Sequence, residues 1–508
     1  MYTVLDLLTT NARRTPGRTA VIDGDTRVTY ADLHELARRV GNLMARHTGP
    51  TDRVAILLPR GAQTLATFFG VYHAAAIPVF IHEQLRPRQV AHIIRHAGAT
   101  LVCTTGRHMP LLRDIHLPAE SIVDVASIQE PALPASRPLI GPDVGALIYT
   151  SGSTGASKGV TVTHTNLVAG ASIVADYLQL TGDDRTLAAL PWSFDYGLNQ
   201  VLATFAAGAT VVIQRSTHPP DISRTLVAAE VTGMAGVPTL WAAMTGPGSP
   251  LANQPLPSLR YVTNSGGPLA PVTIDRIRTA QPHTDLYLMY GLTEAFRSTY
   301  LDPELVATRP TSIGKAIPNT EILVLDEHRR LCPPGVVGEL VHRGPTVALG
   351  YWQDPQATAA VFRPHPHPPA GAELAETVVY SGDYVRTDAD GYLYYLGRRD
   401  EMFKSRGVRV NATEIEAELM ASGMITAAVV AATGDRSDPR LAAGVILDEH
   451  GATVDDLRAY CRHELPPHMQ PHDIVPMTTM PTTSSGKVAR AMVRAWLVER
   501  HTRERVAP

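Results

Sequence analysis

A glycine-rich loop directly after an apolar strand is the feature that most constrains the fold. The strand expected at 146–150 leads into Ser-Gly-Ser-Thr-Gly-Ala-Ser-Lys-Gly at 151–159, which combines glycines, hydroxyl side chains and one lysine. Glycines allow backbone amides to turn toward an anion, hydroxyls add hydrogen-bond donors, and the lysine adds a point charge. The lysine precedes a glycine, so the loop differs from the Walker pattern, in which Ser or Thr follows the lysine. We therefore predict a phosphate-binding loop of another kind.

Helical and extended patterns alternate along the first part of the chain. Apolar residues recur every three or four positions over 29–47, which predicts an amphipathic helix. Short β-branched or leucine-rich runs at 53–58, 210–213 and 322–325 predict strands that helical stretches separate. This alternation is typical of an α/β fold. A chain of 508 residues also exceeds the roughly 250–300 residues at which single cores stop growing, so we expect more than one domain.

Composition excludes several classes of function. The 45 basic and 48 acidic residues leave a net charge of -3, so bulk charge gives no argument for nucleic acid or an anionic membrane surface as a partner. No run of about 18 apolar residues occurs, and charged residues interrupt the segment 1–21, so we expect neither a membrane span nor a secretion signal. The three cysteines, Cys103, Cys332 and Cys461, lie far apart without CxxC spacing, which favours a reducing, cytoplasmic location.

Four further motifs follow the glycine-rich loop. They are Leu-Pro-Trp-Ser-Phe-Asp-Tyr-Gly at 190–197, Tyr-Gly-Leu-Thr-Glu-Ala at 290–295, Ser-Gly-Asp-Tyr-Val-Arg at 381–386 with Gly-Arg-Arg-Asp at 397–400 and Lys-Ser-Arg-Gly at 404–407, and Pro-Thr-Thr-Ser-Ser-Gly-Lys at 481–487. In this order they resemble the signature of the adenylate-forming superfamily, which includes acyl-CoA synthetases, luciferases and the adenylation domains of nonribosomal peptide synthetases. The resemblance covers nearly the whole chain and is strongest to stand-alone amino-acid adenylation ligases.

The resemblance implies two domains that move relative to each other. It implies a large α/β N-terminal domain of several sheets with helices packed on them, at 1–399, and a small, mobile α+β C-terminal domain at 400–508. Asp400 matches the family's hinge position, and hinges absorb dihedral changes at a few residues. After adenylation the C-terminal domain would rotate, so that Lys404 and Gly407 face an incoming pantetheine thiol.

The resemblance also implies ATP and Mg2+ as cofactors and assigns the residues that bind them. Tyr290 would stack on adenine, Thr293 would contact the α-phosphate, and Asp383 would bind the ribose hydroxyls. Glu294 would help to hold Mg2+, because hard oxygen ligands suit a hard cation. The other positions that the resemblance assigns to the nucleotide are Thr150, Ser151, Gly152, Ser153, Thr154, Gly155, Lys158, Gly267, Gly291, Tyr395 and Arg398.

Lys487 is the residue expected to catalyse the first half-reaction, together with Thr293 and Glu294. In that step a substrate carboxylate would attack the α-phosphate, which brings two anions together. A lysine placed between them offsets their repulsion and the charge that grows in the transition state. It follows a Thr-Thr-Ser-Ser-Gly loop, which suits a charge that is brought in and withdrawn.

The motif at 190–197 bears on the acid that is activated. Relatives that use fatty or aryl acids often carry a histidine where this chain has Phe194, and Asp195 follows it. The Phe-Asp pair resembles the amino-acid-activating branch, in which the aspartate pairs with the substrate ammonium. Local alignment of the motifs gives a substrate pocket of Phe194, Asp195, Tyr196, Asn199, Ala235, Asn264, Gly266, Met289, Arg297 and Ser298.

Arg297 is unusual in that pocket, because relatives with apolar substrates usually have no charge at this position. A buried guanidinium needs an anion. That anion is either a second carboxylate, on an aspartate-like or β-amino dicarboxylic substrate, or a protein acid whose pairing with Arg297 shrinks the cavity. The sequence leaves both alternatives open.

The acceptor of the activated acid is expected to be a pantetheine thiol. Residues 488–508 contain no Gly-Gly-x-Ser attachment site, which favours a free-standing enzyme. Its partner would be a separate acyl carrier protein of peptide or polyketide antibiotic biosynthesis, or else CoA. The alternatives are an acyl-CoA synthetase for a fatty or aryl acid, a luciferase-like oxygenase, and a binding protein that has lost catalysis. The last is disfavoured because Lys158, Glu294, Asp383 and Lys487 are all present.

Overall fold

A computed structural model gives the fold of most of the chain. The residues described are 1–126, 128, 130–132, 137–150, 157–246, 249–368, 371, 376–398, 402–405, 408–434, 440–448, 451–483 and 486–506. For 402–405 and 408–411 the backbone alone is described.

Helices and strands alternate along the chain, as the sequence predicts. The helices are α1 (Val4–Arg14), α2 (Tyr30–Ala45), α3 (Ala62–His73), α4 (Pro87–Ala97), α5 (Met109–Asp114), α6 (His164–Tyr177), α7 (Asp195–Ala206), α8 (Pro219–Ala228), α9 (Pro238–Thr245), α10 (Pro250–Asn253), α11 (Pro271–Ala280), α12 (Pro355–Val361), α13 (Ala412–Ala421), α14 (Val454–Glu464) and α15 (Arg490–Val506). The strands up to the end of the glycine-rich loop are β1 (Thr19–Asp23), β2 (Thr26–Thr29), β3 (Arg53–Ile56), β4 (Ile77–Phe80), β5 (Ala99–Thr104), β6 (Ile122–Asp124), β7 (Val144–Thr150) and β8 (Lys158–Thr163).

The remaining strands complete the large domain and build a small one. Those of the large domain are β9 (Arg185–Ala188), β10 (Thr210–Ile213), β11 (Gly233–Gly236), β12 (Tyr261–Asn264), β13 (Asp285–Tyr290), β14 (Thr299–Leu301), β15 (Ser312–Ala316), β16 (Glu321–Leu325), β17 (Gly338–Arg343), β18 (Gly350–Tyr351), β19 (Phe362–Pro364), β20 (Thr377–Thr387) and β21 (Leu393–Arg398). Those that follow are β22 (Met402–Ser405), β23 (Val408–Asn411), β24 (Ile425–Thr433), β25 (Arg440–Leu447) and β26 (Asp473–Pro476).

The strands form separate sheets in the two parts of the chain. Within the described ranges, the largest sheet has the order β16-β17-β20-β21-β15-β14-β13-β12-β11-β9-β10-β1-β2, with β19 on β20. A second sheet has the order β18-β8-β7-β4-β3-β5-β6. The C-terminal part carries the hairpin β22-β23 and the sheet β24-β25-β26. The predicted architecture, a large α/β domain of several sheets followed by a small α+β domain, is therefore confirmed.

The local predictions are confirmed with small shifts of the ends. The predicted helix at 29–47 is α2, and the Thr29 hydroxyl caps it by accepting a hydrogen bond from the Asp32 amide at 3.1 Å. The predicted strands are β3, β10 and β16. Strand β3 ends at Ile56 rather than at 58, shortly before Pro59, which has no amide hydrogen to donate to a sheet.

The strand order explains how the pocket residues come together. Strands β11, β12 and β13 are parallel neighbours. Ala235 lies near the carboxyl end of β11, Asn264 ends β12, and Met289 and Tyr290 end β13. Because the carboxyl ends of parallel strands share one edge of the sheet, residues distant in sequence meet there. The other sheet contributes the glycine-rich loop, which begins where β7 ends.

Apolar packing holds helices together within the large domain and also joins the two domains. In the large domain, α2 and α3 pack so closely that a Cβ added at Gly70 would lie 2.8 Å from the Val40 side chain. In the small domain, Ile415 of α13 and Val430 of β24 belong to a core that also contains Ala270, the residue before α11 of the large domain. The two domains are thus in apolar contact at the start of α11.

Two further findings concern the cysteines and the helices. Cys103, Cys332 and Cys461 are all free thiols. Among the helices of the described ranges, none combines the length and the apolar character that crossing a membrane requires.

The close approach of α2 and α3 predicts that Gly70→Ala destabilises the protein. In a helix this change normally stabilises by about 0.5–1 kcal/mol, but here the new methyl group overlaps Val40. We expect a net destabilisation of about 1–3 kcal/mol from overpacking, measured as a lower denaturation midpoint. Gly106→Ala is the matched control, because a Cβ at Gly106 meets nothing within 4 Å. An unchanged midpoint for Gly70→Ala would contradict the packing described here.

Candidate active site

Lys487 reaches from the small domain into the large one. The Gly486 carbonyl before it accepts a hydrogen bond from the Thr239 hydroxyl at the start of α9, at 2.6 Å. The Lys487 ammonium lies 4.6 Å from the centre of the Phe194 ring, a cation–π distance. Its stem passes over Gly266, where an added Cβ would lie 2.7 Å from Lys487 Cε and where φ is +85°. Position 266 therefore requires glycine both for space and for backbone conformation.

The charge of Lys487 is sensitive to its surroundings. Desolvation lowers the pKa of the Lys487 ammonium, the Asp195 carboxylate opposes that shift, and the Arg297 guanidinium adds to it. The negative charges of Asp383 and Glu294 also favour the charged form. Residues from three motifs therefore act electrostatically on one amine.

Asp195 and Arg297 form a buried ion pair. Arg297 Nη2 donates to Asp195 Oδ2 at 3.1 Å, and the side chains are only 2% and 6% exposed. The Thr293 hydroxyl donates to the other oxygen, Oδ1, at 3.2 Å. The Arg297 guanidinium also lies 4.8 Å from the centre of the Tyr196 ring. Of the two alternatives for Arg297, the structure shows the pairing with a protein acid. It places Thr293, which the resemblance assigns to the α-phosphate, against Asp195.

Several predicted pocket residues line one narrow cavity. Tyr196, Asn199, Ala235 and Met289 form part of its wall. The Tyr196 and Thr263 hydroxyls are hydrogen-bonded to each other at its side. The cavity is small and mostly apolar, and the amide group of Asn199 belongs to its polar lining.

Six buried polar atoms, of residues that line the cavity or are assigned to the substrate pocket, have no hydrogen-bond partner within the described part of the chain. They are Asn199 Nδ2, Gln200 Nε2 and Oε1, Asn264 Oδ1, Arg297 Nε and Ser298 Oγ. Three of the six, Asn199 Nδ2, Gln200 Nε2 and Arg297 Nε, are obligatory donors. The other amide atom of Asn264, Nδ2, donates to the Gly267 carbonyl at 3.0 Å. Unpartnered buried polar groups are costly, and a bound ligand that offers both donors and acceptors would satisfy them.

The residues assigned to the nucleotide converge beside this pocket. The Tyr290 hydroxyl donates to Asp383, and Arg398 Nη1 lies 3.7 Å from the other Asp383 oxygen. The rings of Tyr290 and Tyr395 have centres 6.0 Å apart. Asp383 and Arg398 are paired in register on β20 and β21, so the sheet itself brings them together. Gly291 follows Tyr290, and an added Cβ there would lie 3.3 Å from Arg297 Cα.

Glu294 lies in a setting that fits Mg2+. Its Oε1 accepts a hydrogen bond from the Tyr351 hydroxyl at 2.6 Å. Proteins typically hold Mg2+ with one or two carboxylates, water and substrate phosphates, so a single carboxylate in this site is compatible with the ion. Glu294 would thus bind the ion, whose chemistry is to neutralise phosphate charge.

Tyr351 is a site residue that the sequence motifs miss. Besides its bond to Glu294, its ring lies 5.2 Å from the Lys158 ammonium. Strand β18, which carries Tyr351, pairs with β8 immediately after the glycine-rich loop. In the sequence only the Gly-Tyr pair at 350–351 marks this position, and no neighbouring residue indicates that Tyr351 contacts Glu294.

Two histidines of α4 support the ends of the glycine-rich loop. His96 Nδ1 lies 2.8 Å from the Tyr149 hydroxyl, and His92 Nε2 lies 3.1 Å from the Ser157 carbonyl. Thr150 ends β7 as predicted. The predicted residues Ser151, Gly152, Ser153, Thr154, Gly155, Asp400 and Gly407 lie outside the described residues, and Lys404 lies in β22 with its backbone alone described.

Comparison with known proteins gives the family. The AMP-binding enzyme family matches residues 8–352, and the AMP-binding enzyme C-terminal domain matches residues 414–487. Feruloyl-CoA synthase of Amycolatopsis is 32% identical over 95% of this chain and 96% of its own length. Tyrocidine synthase 3 of Brevibacillus parabrevis is 28% identical over 97% of this chain. The chain spans only 8% of the length of that synthase, and 44% or less of four further peptide synthetases that it matches.

Solved structures agree with the fold. An anthranilate CoA ligase in complex with anthranoyl-AMP superimposes with a TM-score of 0.89 at 23% identity, over 99% of this chain and 98% of the other. The o-succinylbenzoate CoA synthetase of Bacillus subtilis, in complex with ATP and magnesium ion, gives a TM-score of 0.83 at 25% identity, over 97% and 99%.

The chain belongs to the AMP-binding enzyme family. This places it among the ATP-dependent, adenylate-forming ligases, which use ATP together with Mg2+.

The electrostatics of Lys487 predict how adenylation depends on pH. Adenylation should fall as pH rises through the lowered pKa of Lys487, because the ammonium then loses its charge. Asp195→Asn removes a charge that raises this pKa, so the basic limb should move to lower pH. Arg297→Gln removes a charge that lowers it, so the limb should move to higher pH. The measurement is kcat for hydroxylamine-trapped adenylation against pH.

Lys487→Arg is the control for this assignment. A guanidinium stays charged through the accessible range, so the basic limb should disappear even if the rate is low. If kcat of Asp195→Asn and of Arg297→Gln falls at the same high pH as kcat of the wild type, a group other than Lys487 controls this loss of activity.

Proposed function

We propose that the chain activates an amino acid as aminoacyl-AMP, releases pyrophosphate, and transfers the acyl group to a pantetheine thiol. The observation that carries this proposal is the buried pair of Asp195 and Arg297 beside Lys487. A pair of opposite charges in the substrate pocket supports a substrate that itself carries both signs of charge. An α- or β-amino acid is the simplest such acid.

The energetics of the ion pair favour this proposal. Desolvating two charges costs several kcal/mol per ion, and well-packed apolar residues of similar volume are often at least as stable. A pocket for an acid without an ammonium group therefore has no stability reason to bury Asp195 and Arg297. A substrate ammonium gives Asp195 a second cation, and the Thr293 hydroxyl already holds the other carboxylate oxygen in place.

The unpartnered donors extend the argument to a second acceptor on the substrate. Arg297 Nε, Asn199 Nδ2 and Ser298 Oγ, which belong to residues assigned to the substrate pocket, have no partner in the described chain. The amide oxygens Asn264 Oδ1 and Gln200 Oε1 have none either. A further substrate carboxylate or carbonyl would satisfy the donors. We therefore keep an aspartate-like or β-amino dicarboxylic acid as the specific form of the proposal, in which Arg297 bridges Asp195 and the substrate.

The chemistry that we propose for the site is a substitution at the α-phosphorus of ATP. A substrate carboxylate oxygen forms a bond to the α-phosphorus of ATP while the bond to the pyrophosphate oxygen breaks. Lys487 would lie between the two anions, and Glu294 would hold Mg2+. Because Lys487 comes from a separate domain, its departure would free the site for a thiol. Residues Asp400, Lys404 and Gly407 remain our proposal for the hinge and the loop of that second step.

A second candidate is an acyl-CoA synthetase for an aryl or fatty acid. The pairing with Arg297 already balances the Asp195 charge, and Tyr196, Ala235 and Met289 give the cavity a largely apolar wall. The match to feruloyl-CoA synthase over 96% of its length also supports this candidate. The two candidates differ in whether the substrate carries an ammonium group, which can be tested directly.

The test is hydroxylamine-trapped pyrophosphate release with matched pairs of acids. Each pair has the same skeleton with and without its amino group, and the panel covers α-amino, β-amino, dicarboxylic, aryl and fatty acids. We expect the amino form to be preferred by the wild type, and the preference to fall about 30-fold or more in Asp195→Asn, since removing one partner of a buried pair costs about 2 kcal/mol or more. Lys487→Ala should lose adenylation of every acid.

The ratio within each pair controls for general damage to the enzyme. A damaged variant loses activity toward both members, whereas a lost ammonium contact changes their ratio. Arg297→Gln should lower the preference for dicarboxylic over monocarboxylic amino acids if Arg297 contacts the substrate. If the wild type prefers aryl or fatty acids and Asp195→Asn leaves the ratios unchanged, the acyl-CoA synthetase is the correct function.

The same panel, repeated with CoA and with a holo acyl carrier protein, identifies the acceptor. Thioester formation with the carrier protein at lower concentration than with CoA is the outcome we expect. The reverse order would contradict the proposed acceptor without affecting the proposed acid.

A further inference from the structure

The contact between the two domains includes an ion pair outside the pocket. Arg276 of α11, in the large domain, donates through Nη2 to both carboxylate oxygens of Asp448, at 2.8 and 2.9 Å. Asp448 follows β25 of the small domain, and its side chain is 3% exposed, against 18% for Arg276. The pair therefore joins the domains through a carboxylate that is almost completely removed from water.

Asp448 is held by the same sheet that positions Lys487. Its amide donates to the Met424 carbonyl at the start of β24, at 2.8 Å. Strand β25 lies between β24 and β26, and the chain continues from β26 toward Lys487. On that path the Met477 amide donates to Val445 of β25, and the Thr483 amide donates to the Lys487 carbonyl at 2.7 Å. Backbone hydrogen bonds thus connect the sheet that holds Asp448 with the segment that leads to Lys487.

Contacts of this interface besides the ion pair include neutral and apolar ones. Near the pocket, Thr239 makes one neutral hydrogen bond to Gly486, and the Lys487 ammonium lies over the Phe194 ring. At the start of α11, Ala270 packs in the core around Ile415. None of these contacts has the directional strength of a charge-assisted bond to a buried carboxylate. The pair at 276 and 448 therefore fixes the small domain at a second point.

We propose that Arg276 and Asp448 are positioning residues that hold the small domain in the orientation that places Lys487 in the pocket. The inference rests on the proposed function only in assigning adenylation to this orientation. Loss of the pair lowers the fraction of molecules with Lys487 in place, so it slows the step that needs Lys487. A step that begins from a finished adenylate does not need Lys487 and is spared.

The experiment compares Arg276→Ala and Asp448→Asn with Arg278→Ala, a control that removes an exposed arginine from the same helix. We expect kcat for hydroxylamine-trapped adenylation to fall roughly tenfold to 100-fold, as small misplacements of catalytic groups do, with little change in KM for ATP. Thioester formation from synthetic acyl-adenylate should not fall. The exchanged pair, Arg276→Asp with Asp448→Arg, should recover part of the loss.

Hydrogen exchange of the unliganded full chain gives a readout that needs no substrate. Peptides that cover 271–280 and 477–489 should exchange faster in Arg276→Ala than in Arg278→Ala, while the peptide of 4–14 should not change. This result would support the inference even if no amino acid were a substrate. Unchanged exchange in both peptides would overturn it, as would equal losses of the two half-reactions together with a lower denaturation midpoint.

Discussion

The electrostatic cluster of Lys487, Asp195 and Arg297 is the feature on which the candidate site depends. Asp195 and Arg297 form a nearly buried pair, and the half-buried Lys487 is affected by both of their charges. Charge in a medium of low polarity is costly unless it is compensated. The carboxylates of Glu294 and Asp383 also act on Lys487 and contribute to that compensation. In the proposed reaction the carboxylate that is activated would be a further anion close to Lys487, so the cluster would bind the reacting group as well as supply catalytic charge.

The cluster is assembled from two domains. The Lys487 ammonium comes from the small domain, while Asp195 and Arg297 neutralise each other in the large one. The large domain alone thus buries a balanced pair. In the proposed function Lys487 would act only while the small domain is docked, which would tie catalysis to domain position.

The sequence allows the fold to be predicted and nominates the residues of the candidate site, because those features are local. The helix at 29–47, the strand at 210–213 and the Tyr-Gly-Leu-Thr-Glu motif are each encoded within a few neighbouring residues. The pairings between distant residues are not local. Arg297 and Asp195 are 102 positions apart, and Arg276 and Asp448 are 172 apart. The motifs mark Asp195 and Arg297 as pocket residues without showing that they pair with each other, and Arg276 and Asp448 resemble ordinary surface charges until the fold brings them together. The same holds for Tyr351, whose bond to Glu294 depends on the pairing of β18 with β8.

The composition of the interface between the domains is suited to repeated docking. Large apolar interfaces are effectively permanent, whereas smaller and more polar ones leave relative domain motion as the default. Here the contacts of the small domain include apolar packing at Ala270, a hydrogen bond at Gly486, the Lys487 side chain over Phe194 and the ion pair at Asp448. If the domains separate, water can solvate both Arg276 and Asp448, which offsets part of the lost attraction. An apolar contact has no such compensation. In the proposed domain movement the ion pair would thus define the docked orientation without making the interface permanent, which suits a lysine that is needed in only one half-reaction.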